Sequence, residues 1–253
     1  MGPKTEELTM TSAATGNGHD REFTFWRDHT TTALQPVAAP SILGLYGFAA
    51  ATSIVAANLA GWYGDDTVTP LVLFPFALAF GGIAQLLAGM WAYRARDGLA
   101  TAMHGMWGSF WIAYGLYQLL IALDVLPATT DPAAAVAFGF WFVALAAITW
   151  VGAAAAMAEN AALTAVLVTL AAGATLLAVG SIAAAGVAET IGAYVLIASA
   201  VLAFYTASAM MLRGTFKRVV LPVGERGAPQ APGATPRHPI QYAAGEPGVK
   251  IGQ

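Results

Sequence analysis

Charged residues almost vanish from the middle of this chain. Between Ile42 and Leu212 only nine Asp, Glu, Lys or Arg occur: Asp65, Asp66, Arg94, Arg96, Asp97, Asp124, Asp131, Glu159 and Glu189. The stretches between them are long runs of hydrophobic and small residues. A water-soluble domain carries about one charged residue in four. This chain of 253 residues carries 10%, and 58% of it is hydrophobic. So few charges cannot cover a soluble surface, and the sequence reads as an all-α integral membrane protein. The same arithmetic excludes an ordinary cytosolic enzyme, a nucleic-acid binder and a disordered chain. Cysteine is absent, which excludes disulfides, thiolate metal sites and cysteine nucleophiles.

Six spans are expected: Ile42–Gly64, Pro70–Tyr93, Leu99–Leu123, Pro132–Ala158, Asn160 to about Ala185, and Thr190–Leu212. Each is long enough for a hydrocarbon core of about 30 Å at about 1.5 Å per residue. Pro40 stands near the start of the first span, where its missing N–H costs nothing. Trp62 and Tyr63 close that span as an interfacial aromatic pair. Only Glu159 and Asn160 separate spans 4 and 5. The expected organisation is a polar N-tail at 1–39, a transmembrane domain at 40–213, and a C-tail at 214–253 that becomes flexible after about 225. No cleavable signal peptide is expected ahead of Ile42. Phe23, Phe25 and Trp26 are placed to dock at the interface or against the protein's own cytoplasmic face.

The basic residues fix an expected orientation. Lys4, Arg21 and Arg27 lie in the N-tail; Arg94 and Arg96 lie between spans 2 and 3; Arg213, Lys217, Arg218, Arg226, Arg237 and Lys250 follow span 6. With six spans all of these fall on one side. The opposite loops hold Asp65, Asp66, Asp124, Asp131 and Glu189 and no basic residue. The positive-inside rule then puts both termini in the cytoplasm.

No HExxH, GxSxG or Walker loop occurs, so no catalytic site, metal or cofactor is expected. His104 is the strongly ionisable residue deep in a span, and such a residue is a functional candidate. Its place near the end of span 3 suits an interfacial or packing histidine equally. Gln85 puts a primary amide in the middle of span 2, which is costly without a partner and suits either a pore wall or a bridge between helices. Most Ser and Thr in the spans are expected to bond back to their own helix. Gly44, Gly47, Gly81, Gly82, Gly89, Gly105, Gly108, Gly173 and Gly180 permit close helix approach, within one bundle or between subunits. No Lys or Arg lies within a span. The solute therefore reads as small, and neutral or a monoanion held by hydroxyls and helix N-termini. A urea or short-amide channel and a non-transporting scaffold whose tails recruit partners are the rival readings.

Four blocks carry a family resemblance. One is Gly81-Gly82-Ile83-Ala84-Gln85-Leu86-Leu87-Ala88-Gly89-Met90-Trp91, continued by Tyr93-Arg94 and Trp107-Gly108-Ser109-Phe110-Trp111. The others are Ala39-Pro40 with Leu43-Gly44-Leu45-Tyr46-Gly47-Phe48, then Gly180-Ser181-Ile182-Ala183, then Phe216 to Glu225. In order and spacing they resemble the acetate uptake transporter family, also called succinate–acetate permeases, over about residues 38–225. The resemblance implies six transmembrane helices around a narrow pore in each subunit, assembled as a homo-hexamer in the plasma (inner) membrane. It implies passage of acetate, sometimes succinate or other short monocarboxylates, as a channel or with a proton. It puts a hydrophobic constriction on Phe48, Trp107 and Leu170, with Trp107 standing where the family has Tyr. It further implies pore roles for Gln85 and Thr52, and a substrate-size role for Ala203. His104 stands in place of an apolar aromatic and is a possible site for a proton or polar relay. Val37-Ala38 stand where the family signature begins with Asn-Pro, and Ala92 replaces an acidic residue.

Overall fold

The computed structural model describes residues 38–128 and 130–226. The expectations for Phe23, Phe25, Trp26 and most of both tails lie outside these residues. The described residues form helices α1 Pro40–Leu59, α2 Thr69–Arg94, α3 Gly98–Ala122, α4 Pro132–Ala156, α5 Ala161–Ala183 and α6 Gly186–Phe216. All except α3 are long and apolar enough to cross a membrane. α3 has the length, with 25 residues, but His104, Ser109, Gln118 and several aromatic residues lower its hydropathy. The molecule is an all-α, multi-pass membrane protein.

Short polar residues start the helices where the sequence is least apolar. The Asp97 carboxylate accepts from the Ala100 N–H at 2.8 Å, and Asp131 accepts from Ala133 and Ala134. The Asn160 side chain accepts from the Leu163 N–H at 2.8 Å and divides α4 from α5. Each cap satisfies donors that a first helical turn leaves without partners. Asp65, fully exposed before α2, accepts from the Val68 and Thr67 N–H groups and the Thr67 hydroxyl. Those bonds, the Val68 N–H foremost, hold its carboxyl below the usual range.

Three boundaries differ from expectation. α1 ends at Leu59, and Trp62 and Tyr63 stand in the turn beyond it, where the Tyr63 hydroxyl donates to the Ile54 carbonyl. α6 begins at Gly186, so Glu189 lies in its first turn instead of in a loop, where the helix dipole favours it. α6 also runs three residues beyond 213, and the chain after it turns back onto α5. There the Ala161 and Ala162 N–H groups donate to the Gly224 and Val223 carbonyls, and the Arg226 N–H to Glu159. The Tyr205 hydroxyl donates to the Pro222 carbonyl, and Arg213 pairs with Glu225. This returning segment satisfies donors at the start of α5.

α2 contains a π-helical stretch, Ala77–Ala84, two residues after Pro75. In and beyond this stretch, glycines bring α2 against its neighbours. A Cβ on Gly47 would lie 2.3 Å from the Phe80 carbonyl oxygen, and one on Gly108 would lie 2.6 Å from the Leu86 nitrogen. A Cβ on Gly89 would lie 2.8 Å from the Gly105 nitrogen. The glycine seam between α2 and α3 thus serves packing inside the subunit. Around the bundle α1 packs on α6, α6 on α5, α5 on α4, and α2 on α1 and α3. Of the helices consecutive in the chain, α3 and α4 touch least, and large aromatic side chains cross the space between them. Phe110 meets Phe142 with centroids 5.6 Å apart and Phe138 at 6.3 Å.

Gly108→Ala is expected to destabilise the protein by about 1–3 kcal/mol, because backbone must shift to admit the methyl. Gly214→Ala, where nothing lies within 4 Å of the new methyl, is expected to stabilise it by about 0.5–1 kcal/mol. Thermal unfolding of the detergent-solubilised protein measures both, and equal effects would contradict the packing assignment.

Candidate functional site

Among the described residues, two cavities inside the bundle hold the expected site residues other than Ala203. The larger, about 580 Å³, is lined from Thr52, Asn58 and Asp66 through Trp107, Trp111, Gln118 and Leu170 to Ser181 and Glu189. It lies on the side of the acidic loops. The smaller, about 100 Å³, is lined by Ser41, Phe48, Gln85, Asp97, His104, Trp107, Glu159, Leu170 and Thr206, among others. It lies on the side of Arg94 and Arg96. Trp107 and Leu170 belong to the walls of both. Neither wall has Lys or Arg among the described residues.

α3 is the main wall. Its buried positions include Ala100, Met103, His104, Trp107, Phe110, Trp111, Tyr114 and Gln118, which recur at three- and four-residue intervals along one face. His104 and Gln118, two of the polar groups that lower the hydropathy of this helix, are therefore turned to the interior, while Ser109 is exposed. At the junction Phe48 of α1 stands edge-on to Trp107, with centroids 6.2 Å apart and planes at 70°. Phe48, Trp107 and Leu170 are each at most 3% exposed. The Trp107 indole N–H donates to the Thr149 hydroxyl at 3.0 Å, and that hydroxyl donates to the Leu145 carbonyl at 2.6 Å. With its N–H so used, Trp107 meets the cavities with carbon.

The other expected residues fall on either side of this junction. Thr52 lines the larger cavity; Gln85 and His104 line the smaller. The His104 ring lies against Gly44 of α1, where a Cβ would come within 2.5 Å of it. Ala203 is fully buried and lines neither cavity; α6 reaches the smaller one through Thr206 and Met210 instead. Sequence reading passed over Trp111, Thr149 and the Asp97–Glu159 pair. Trp111 is one helical turn from Trp107 on the same face, which was the available signal.

Among the described residues, the buried side-chain polar atoms without a hydrogen-bond partner are Thr52 Oγ1, Gln85 Oε1, His104 Nδ1 and Trp111 Nε1. All four belong to cavity-lining side chains, two on each side of the junction. Other hydroxyls in the helices find partners on the protein. Thr169, Thr175, Thr206 and Ser109 donate to carbonyls of their own helices, and Ser199 donates to Val166 of α5 at 2.9 Å. At the mouth of the smaller cavity, burial and then the Asp97 carboxylate push the Glu159 carboxyl above its usual range.

Comparison with known proteins bears on this arrangement. The family model described as the GPR1/FUN34/yaaH family matches residues 24–225. The succinate-acetate/proton symporter SatP of Escherichia coli (strain K12) is 27% identical over 192 residues, which are 75% of this chain and 96% of that protein. Acetate permease A of Emericella nidulans is 33% identical over 79 residues, which are 31% of this chain and 26% of that protein. A solved structure described as that of the bacterial acetate channel SatP superposes with a TM-score of 0.68 at 25% identity. It covers 74% of this chain and 99% of its own.

Because the folded state holds Glu159 in its neutral form more readily than the unfolded chain does, this residue's contribution to stability is full below the usual carboxylate pKa. It is lost as pH rises through the raised folded value. Glu159→Gln is expected to weaken the fall in melting temperature above about pH 4.5. Identical pH profiles for the variant and the wild type would contradict the raised value.

Proposed function

The chain belongs to the GPR1/FUN34/yaaH family, and on that premise we propose that it passes acetate and similar short-chain monocarboxylates across the membrane, with succinate at the upper end of its range. The substrate is named from the relatives, a succinate-acetate/proton symporter and an acetate permease among them. The observation that carries the reading to this chain is the sharing of Trp107 and Leu170 by two interior cavities. Two cavities that meet at one apolar girdle have the form of a gated pore.

In this reading all six helices span the membrane and both termini are cytoplasmic. The smaller cavity, beside Arg94 and Arg96, is then the inner vestibule, and the larger one, beside Asp66 and Glu189, is the outer. Phe48, Trp107 and Leu170 form the girdle. It limits solute size, and it limits water leak because a narrow apolar ring dewets. A carboxylic acid with a pKa near 4–5 is neutral to about 1% or less at pH 7. The solute either crosses as an anion held by neutral dipoles or travels with a proton. Below the girdle Gln85 Oε1 and His104 Nδ1 lack partners; the amide oxygen can accept from the O–H of a protonated acid, and the imidazole is the group to relay that proton. Ala203 acts from behind the wall, one turn from Thr206, by setting how closely α6 approaches.

A homo-hexamer is the proposed assembly. It is supported by the family resemblance and by large apolar side chains left exposed on α2, where Val72, Phe76, Phe80, Ile83, Leu87 and Met90 recur at helical spacing. Lipid and neighbouring subunits are the partners such a surface suits.

Leu170→Ala and Trp107→Ala are expected to admit longer monocarboxylates, with butyrate uptake into proteoliposomes rising at least about fivefold relative to acetate as the girdle opens. An unchanged ratio in both variants would contradict the girdle. Gln85→Ala is expected to lower acetate flux with assembly intact; unchanged flux would leave Gln85 a packing residue.

A further inference from the structure

The larger cavity contains two hydrogen-bond donors that nothing in the fold uses. The Trp111 indole N–H is donor-only, and the Thr52 hydroxyl can donate to an outside acceptor. Both side chains are at least nine-tenths buried, both line the larger cavity, and neither Trp111 Nε1 nor Thr52 Oγ1 has a partner. Leaving such groups unpaired is costly, so native structures rarely do it without a reason.

Their positions are related. Thr52 lies four residues after Phe48 on α1, and Trp111 lies four residues after Trp107 on α3. On each helix the donor therefore stands one turn, about 6 Å along the axis, above a girdle residue. The Trp111 pyrrole edge lies against α2: a Cβ on Gly81 would come 2.6 Å from Trp111 Cδ1, the carbon bonded to the donor nitrogen. The same Cβ would come 2.7 Å from Ala51 Cβ, in the residue just before Thr52. The indole is also held edge-on between Phe110, at 5.1 Å and 66°, and Tyr114, at 5.6 Å and 86°. Packing alone sets the resting orientation of the ring.

We propose that Trp111 Nε1–H and Thr52 Oγ1–H form a carboxylate-docking station in the larger cavity, one helical turn from the girdle. This deepens the monocarboxylate-pore reading and rests on it. The two donors take the carboxylate oxygens, and the methyl or short alkyl end meets the carbon surfaces of Trp107 and Leu170. Each donor atom presents less than 1 Å² of surface in this conformation, so docking requires a small side-chain rotation toward the cavity. Charge-assisted bonds from two neutral donors hold an anion without a fixed cation. That keeps binding weak enough for release, as conduction requires. The two groups of the station are themselves non-titrating donors, while Asp66 and Glu189 line other parts of the same cavity and His104 lies below the girdle.

Trp111→Phe keeps an aromatic ring and removes the N–H, and Thr52→Val keeps the shape and removes the hydroxyl. In the full chain reconstituted in liposomes, each is expected to raise the KM for labelled acetate about tenfold, with maximal flux within about twofold of wild type. Acetate-dependent thermal stabilisation in detergent is expected to shrink in parallel, while stability without acetate is kept or improved because an unpaired polar group is gone. If both variants retain the wild-type KM, or lose only maximal flux, the station is wrong and the pore reading stands. If the wild type itself passes no acetate, the pore reading fails.

Discussion

Inside a hydrocarbon layer, a polar side chain must find a partner on its own protein or face an internal space, because no water is there to supply one. This constraint sorts nearly every polar residue in the described helices. Thr169, Thr175 and Thr206 bond to the helix that carries them, and Tyr46 and Ser208 bond to each other between α1 and α6 at 2.9 Å. Trp107 spends its N–H on Thr149. What remains unpaired, at Thr52, Gln85, His104 and Trp111, lies around the cavities and flanks the Phe48–Trp107–Leu170 girdle. The interior space and the free hydrogen-bonding capacity coincide, and that coincidence supports the proposed solute path.

The girdle in turn depends on glycine. α2 and α3 approach closely through Gly89 and Gly108, and the His104–Gln118 face of α3 is turned inward. α4 stands off from α3, and aromatic rings fill that gap without closing it. The result is a bundle with two interior cavities that share Trp107 and Leu170, where the girdle is proposed. Because neither cavity wall offers a fixed cation among the described residues, a bound anion would be held only by neutral dipoles. Such holding favours exchange over retention.

Much of this was legible in the sequence, for definable reasons. Charge spacing located the helices because each short polar interruption is also a cap: Asp97, Asp131 and Asn160 each accept a first-turn N–H. Gln85, Thr52 and His104 stood out because a polar group in an apolar run has few cheap places to go. Trp111 did not stand out, because tryptophan counts as apolar and its one donor is visible only when its neighbours are known. The π-helical stretch in α2 had no clear signal beyond Pro75 and two adjacent glycines. The return of residues 217–226 onto α5 was hidden because backbone carbonyls make its bonds, with only Gly224, at φ +67, fitting a turn. The burial of Ala203 behind the wall depends on the rotation of α6, which composition does not encode.

The most direct measurement is uptake of labelled acetate into liposomes containing the wild-type protein, with and without a pH gradient, in competition with propionate, butyrate and urea. A small-monocarboxylate pore gives acetate flux above that of empty liposomes, competition by propionate that weakens at butyrate, and none by urea. A gradient that drives accumulation shows that a proton accompanies the anion. No flux above empty liposomes, or competition by urea and not by propionate, would contradict the account.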